Sequence, residues 1–196
     1  MTLRPPPFWP SRDPDAQVPI NFFFAIVPPA EMKNYIYSLA GGLRYVHGLN
    51  GKLIAPGHLH STLFPVGSGR LSSKELGQRV LEAASRVRLE KFEVVFDRTQ
   101  SLYLTGGKHP FVLAGSDGEG GLRQLHRALG SELVRVGLGE CVRRQFEPHI
   151  TMFWADRCVA EYPVDPVRWT VGEFVLVLSL VGRTRHIHLR RWLLTG

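Results

Sequence analysis

The sequence repeats itself weakly at an offset of 89 residues, and no other feature constrains the fold as strongly. Phe22 aligns with Phe111, Ala25 with Ala114, Gly48 with Gly137 and Leu49 with Leu138. His60, Thr62 and Phe64 align with His149, Thr151 and Phe153. Single matches of Leu or Ala mean little. One offset held across four separate segments means more, because both halves then follow one order: strand, helix, short strand, and a strand carrying His-x-Thr. Two copies are too few for a solenoid. They predict an α+β fold of two pseudo-symmetric βαββ lobes. Their antiparallel sheets face a central cleft, with the helices on the outside.

Local patterns fill in this frame. Asn21–Val27 is apolar throughout and reads as a buried strand stopped by Pro28-Pro29. Ala30 to about Gly48 is helical. Lys52–Ala55 is a short strand and His58–Val66 a longer one. Ser72 to Glu75 is a capping box, and Leu76, Val80, Ala84 and Val87 make the stripe of the helix behind it. Phe92–Asp97 and Ser101–Leu104 read as a strand pair, and Pro110–Gly115 as a further strand. Glu119 to Val136 is helical. Cys141–Phe146 and His149–Trp154 are strands. The chain closes in a hairpin, Trp169–Val181 with His186–Leu194, turned at Gly182-Arg183-Thr184. Residues 1–19 hold six of the 14 prolines and read as a poorly ordered tail. Residues 20–196 form a single two-lobed domain.

Composition excludes several classes. With 44% hydrophobic and 21% charged residues, the chain is neither disordered nor fibrous. No apolar run is long enough for a membrane-spanning helix, and no signal peptide opens the chain. Two cysteines cannot build a disulfide framework. A cytoplasmic monomer without membrane contact is the expectation. A net charge of +7 suggests an anionic partner.

The paired segments His60-Ser61-Thr62-Leu63 and His149-Ile150-Thr151-Met152 carry the chemistry. Strand side chains alternate between faces, so His60 and Thr62 share one face, as do His149 and Thr151. With eight His and eight Thr, chance would give His-x-Thr roughly 0.3 times in a chain of this length. Two copies at equivalent places therefore point to function. Facing lobes would bring two imidazoles and two hydroxyls to one cleft. Such a set suits phosphoryl transfer without a metal or other cofactor. One imidazole takes a proton from water and the other gives one to the leaving oxygen. The hydroxyls donate to non-bridging phosphate oxygens.

Other features weigh less. His58-Leu59-His60 and His186-Ile187-His188 have same-face spacing, but no third zinc ligand stands at a clear distance. The glycine-rich stretch Gly115–Gly121 fits neither a dinucleotide fingerprint nor a P-loop and reads as a turn. By alternation Phe64 and Phe153 share the face of the His-x-Thr groups and are candidates to stack on bases. Arg183 and Arg185 flank the last turn and are candidates for phosphate contact, with Arg157.

The paired motifs, with the segments NFFFAIVPP, GKLIAPGHLHSTLFPVG, FEPHITMFW and the closing WTVGEFVLVLSLVGRTRHIHLRRWLL, resemble the 2H phosphoesterase superfamily. Within it they are most similar to the bacterial 2'-5' RNA ligase-like proteins, the RNA 2',3'-cyclic phosphodiesterases. The resemblance covers residues 20–194. It implies hydrolysis of RNA ends or nucleotides with a 2',3'-cyclic phosphate to a 2'-phosphate, with reversible 2'-5' ligation as a related reaction. It makes His60 the proton donor and His149 the proton acceptor. Many such proteins carry an arginine shortly after the second motif, where this chain has Trp154. A basic RNA-binding module without turnover, and a phosphodiesterase for a small cyclic nucleotide, are the alternatives.

Overall fold

A computed structural model describes residues 20–68, 74–104, 107–115, 120–143, 145–180, 182 and 185–195. The proline-rich tail, Ser72 and Ser73 of the capping box, Arg183 and the centre of the glycine-rich stretch lie outside these residues. Eight strands and three helices follow in order: β1 (Ile20–Ile26), α1 (Ala30–Val46), β2 (Ser61–Ser68), α2 (Lys74–Arg86), β3 (Phe92–Ser101), β4 (His109–Ala114), α3 (Gly121–Arg135), β5 (His149–Ala155), β6 (Tyr162–Val171), β7 (Glu173–Leu180) and β8 (Arg185–Leu193). No described helix is long and apolar enough to cross a membrane.

Two four-stranded antiparallel sheets form, in the orders β2-β1-β7-β8 and β5-β4-β3-β6. The repeat is visible in this order, because β2 and β5 hold the same edge position beside β1 and β4. The lobes differ from the predicted βαββ units. Lys52–Ala55 contributes only a single bridge, Leu53 to Phe153, and a bond from Ile54 N–H to the Met152 carbonyl at 2.7 Å. Gly51 enters this contact with φ +147°, where a Cβ would collide with the Trp154 carbonyl. Cys141–Phe146 is not a strand, since its start is a short 3₁₀ turn over Gly139–Cys141. Each sheet is instead completed by strands from elsewhere in the chain. β7 and β8 join the first, and β3 and β6 join the second.

Two strand readings change accordingly. Phe92–Ser101 is one strand, and residues 102–104 are irregular. Trp169–Val181 is not one strand, because the chain leaves the second sheet after Val171 and enters the first at Glu173. The early part of β6 escaped the sequence reading because Pro163 and Pro166 argue against a strand. They are tolerated because β6 is an edge.

The helices cover the outer faces and tie the lobes together. α1 leaves the first sheet and lies on β5 and β6 of the second, burying Ile36, Ala40 and Leu43. Beyond its end, His47 packs on Phe111 and Tyr162. α3 leaves the second sheet and reaches β2 of the first, where His126 is sandwiched between Phe64 and Phe146 at 4.0 and 4.1 Å. α2 packs beside α3, and its Ser85 hydroxyl accepts a bond from the Trp192 indole at 3.2 Å. One hydrophobic core consequently runs through both lobes. A separate small cluster, Ala25, Val175 and Val177 with Phe23 and Val27, marks the opposite, cleft-side face of the first sheet.

Candidate active site

β2 and β5 abut where the lobes meet. Both carry a β-bulge at the same place in the repeat. Ala25 opposes Thr62 while Phe24 opposes Phe64, so Leu63 is the extra residue. Val112 opposes Thr151 while Phe111 opposes Phe153, so Met152 is the extra residue. Directly opposed residues of an antiparallel pair share a face. Thr62 therefore lies with Ala25 on the cleft side, and Phe64 lies with Phe24 in the core. Bulges re-aim side chains in this way.

This corrects the reading of Phe64 and Phe153 as base-stacking residues. Phe64 is 1% exposed and Phe153 is 0% exposed. Phe64 stacks on His126, and Phe153 on Phe111 at 4.9 Å. Simple period-2 alternation failed because it assumes no bulge. Phe153→Ala should therefore lower stability by about 3–5 kcal/mol, the range for a buried aromatic. Chemical denaturation measures this, and a variant of unchanged stability that had lost only substrate affinity would restore the stacking role.

The two histidines are held alike. His60 Nδ1–H donates to the His58 carbonyl at 2.7 Å, and His149 Nδ1–H donates to the Glu147 carbonyl at 2.7 Å. A carbonyl only accepts, so each Nδ1 keeps a proton and each Nε2 is left for the cleft. Burial lowers the pKa of His60, and the charges of His149, His58 and His188 lower it further against the opposing effect of the His58 carbonyl. His149 is thus close enough across the cleft to be felt. Thr62 and Thr151 are partly exposed on the same faces.

Residues that the sequence reading did not place in the cleft, His186 weighed only as a zinc ligand among them, complete the pocket. Phe23 stacks on His60 with ring centroids 4.8 Å apart. His186 packs edge-on against His60 at 5.2 Å, His58 at 4.8 Å and Phe23 at 5.6 Å. Burial, with the charges of His60, His58 and His188, pushes its pKa down to about 4. His186 is therefore neutral at pH 7. Phe23 gave no signal because every residue from Phe22 to Val27 is apolar, so its face was not legible. Among the described residues no three His, Cys, Asp or Glu side chains are grouped to hold a metal ion.

The arginine candidates fare differently. Arg157 is not in the cleft, because its guanidinium donates to the His47 and Gly48 carbonyls at 2.7 and 2.9 Å, beyond the end of α1. Arg185 opposes Leu180 and so alternates with His186 and His188, away from the cleft face. Trp154 is 44% exposed. A cation that shares the cleft face with His149 is Arg98, which opposes Ala114, itself opposite His149. Arg98 is held by Glu161 at 3.2 Å and by the Gly115 carbonyl at 3.2 Å. The register of β3 against β6 breaks just before it, where Asp97 alone faces three residues of β6, 164 to 166.

Comparison with known proteins agrees with this fold. The family model described as the 2'-5' RNA ligase superfamily matches residues 28–183. The chain is 30% identical over 187 residues to the RNA 2',3'-cyclic phosphodiesterase of Escherichia coli (strain K12), covering 90% of this chain and 98% of that protein. The crystal structure of E. coli LigT in apo form superposes with TM-score 0.68 at 28% identity, covering 92% of this chain and 100% of that one. A Thermus thermophilus structure shares the fold, with TM-score 0.73 at 23% identity, covering 90% of this chain and 98% of that one. The chain belongs to the 2'-5' RNA ligase superfamily of 2H phosphoesterases.

Proposed function

We propose that the protein hydrolyses RNA ends bearing a 2',3'-cyclic phosphate to the 2'-phosphate, using His60 and His149 as an acid–base pair without a metal. The observation that carries this reading is the matched pair of imidazoles. Each is anchored through Nδ1 to a carbonyl two residues back, and each shares its cleft face with a threonine. A neutral His149 takes a proton on Nε2 from water as the water oxygen attacks phosphorus. The bond from phosphorus to O3' breaks, and O3' takes a proton from Nε2 of protonated His60. The product carries a 2'-phosphate and a free 3'-hydroxyl. His60 ends neutral and His149 protonated, and exchange with solvent resets both. A 5'-hydroxyl in place of water would give the 2'-5' ligation reaction by the same proton transfers.

The lowered pKa of His60 fits this cycle when the substrate is counted. Burial and neighbouring imidazoles disfavour its proton in the empty cleft. An anionic phosphate beside it reverses that balance, so the acid is charged once substrate is bound. The sequence similarity to a protein named RNA 2',3'-cyclic phosphodiesterase supports the substrate class.

The test is incubation of EDTA-treated protein with an oligoribonucleotide ending in 2',3'-cyclic phosphate, followed by product identification. Undiminished conversion to the oligonucleotide ending in 2'-phosphate is expected. Loss of activity in EDTA with rescue by zinc would overturn metal independence, and binding without turnover would leave an RNA-binding module.

A further inference from the structure

Along the first sheet from His60, the end of β1, the start of α1 and the chain crossing from β6 to β7 surround a cavity of about 350 Å³. Lys33, Glu173, His188 and Arg191 line it. The Glu173 carboxylate is committed to Arg191 at 2.6 Å. Arg191 also lies 3.4 Å from His188 Nδ1. Lys33 is half-buried and, among the described residues, has no ion-pair partner. Burial and the charge of Arg191 both work against its proton. An ammonium held beside a guanidinium, with the lining carboxylate already taken, is an arrangement that a bound anion completes.

β8 connects this cavity to the candidate active site. His186 touches the His60 ring, and His188 lies two residues further along the same face. Two strand residues span about 7 Å. A backbone leaving the catalytic cleft along β8 would reach the cavity within one or two nucleotides. The charge count favours a phosphodiester. Lys33 and Arg191 against Glu173 leave one net positive charge, and burial keeps His188 inclined to neutrality. A phosphodiester carries a single negative charge.

We propose that this cavity is a second phosphate subsite, holding a backbone phosphodiester one or two nucleotides upstream of the 2',3'-cyclic end. The proposal rests on the phosphodiesterase reading above and makes the enzyme one that prefers oligonucleotides to single nucleotides. It is tested with a nucleoside 2',3'-cyclic phosphate and a trinucleotide ending in the same group, using wild-type protein, Lys33→Met and Lys33→Arg. The ratio of kcat/KM for trinucleotide over mononucleotide should fall about tenfold in Lys33→Met and be largely kept in Lys33→Arg, as for loss of one phosphate contact. The salt dependence of trinucleotide kcat/KM should flatten by about 0.7 in logarithmic slope, the share of one contact on a single strand. A trinucleotide with neutral methylphosphonates at its internal linkages should show the same loss with wild-type protein and no further loss with Lys33→Met.

Equal losses on both substrates, or wild-type indifference to the methylphosphonates, would overturn the subsite. So would inorganic phosphate that raises the wild-type Tm but not that of Lys33→Met while the methylphosphonates have no effect, since the cavity would then take free phosphate. If wild-type protein hydrolyses neither substrate, the phosphodiesterase reading fails by itself. The subsite is then read from fluorescence anisotropy of a trinucleotide ending in 2'-phosphate, where weaker binding to Lys33→Met and to wild type with internal methylphosphonates is still expected.

Discussion

Replacing either His60 or His149 with alanine is expected to lower kcat about 100-fold or more, the scale of a lost general acid or base. The two variants should then separate on a substrate with sulfur in place of O3'. A thiolate leaves without a proton, so the His60→Ala variant should recover most of its deficit. The His149→Ala variant should not, because its water still needs a base. Recovery by the wrong variant would exchange the two roles, and wild-type rates in both folded variants would end the mechanism. pH dependence gives a second reading. Burial holds the His60 pKa below the usual imidazole value in the empty cleft. The proton of an acid with a lowered pKa is lost early as pH rises, so kcat/KM should fall on the alkaline side at lower pH than kcat. The bound phosphate raises the proton affinity of His60 and moves the kcat limb upward. Both limbs describe the coupled pair, not single residues. A kcat limb at or below the kcat/KM limb would mean that bound substrate does not raise the proton affinity of the pair, and would overturn this account of its acid.

Much of the fold was legible because the two halves follow one pattern. The helix at Ala30–Val46 stands where helical character was read, and the helix at Lys74–Arg86 followed from periodic apolar residues and buries Val80 and Ala84 as expected. What failed was sheet membership. β3 and β7 carry no mark of which sheet they join, because pairing is decided by packing across the whole core. Gly172 separates two strands of different sheets, yet Trp169, Val171, Phe174 and Val175 around it are apolar, as they would be in one continuing strand. That α1 would lie on the second sheet, and that α3 would reach across from β3 to β2, was not legible either. α1 and α3 show the stripe that must be buried, and nothing in a stripe says which sheet will bury it.

The candidate site was legible at the residues the repeat marks, and not at those the repeat omits. His60 and His149 stand at equivalent positions and are held through equivalent bonds. Phe64 and Phe153 are equivalent as well, and their symmetry reflects a shared structural need, since both close the core behind a bulge. A repeated residue is thus evidence of a repeated environment, which is functional only when that environment is the cleft. His186 and Phe23 have no partner at the 89-residue offset, so the duplication could not reveal them. Their contact with His60 depends on β8 and β1 lying in one sheet.

The second large effect is expected at the threonines. Thr62→Val and Thr151→Val keep the shape and the β-branched strand preference while removing the hydroxyl. Both residues oppose small or apolar partners on the cleft face, Ala25 and Val112, so neither change leaves a cavity or an unpaired partner in the strand row. Folding should be nearly unaffected. A donor aimed at oxygens that gain charge in the transition state contributes to kcat more than to ground-state binding, and loss of one such donor costs about 10² to 10³ in kcat. Each single variant should show that loss with KM changed by a small factor. The double variant should lose more than either single one, because in the proposed complex the two hydroxyls would reach the phosphate from opposite lobes. A rise in KM with kcat intact would make the threonines ground-state binders, and unchanged kinetics would take them out of the site. Thr151→Ser is the control, since it restores a donor at the same place on the bulged strand and should recover most of the rate.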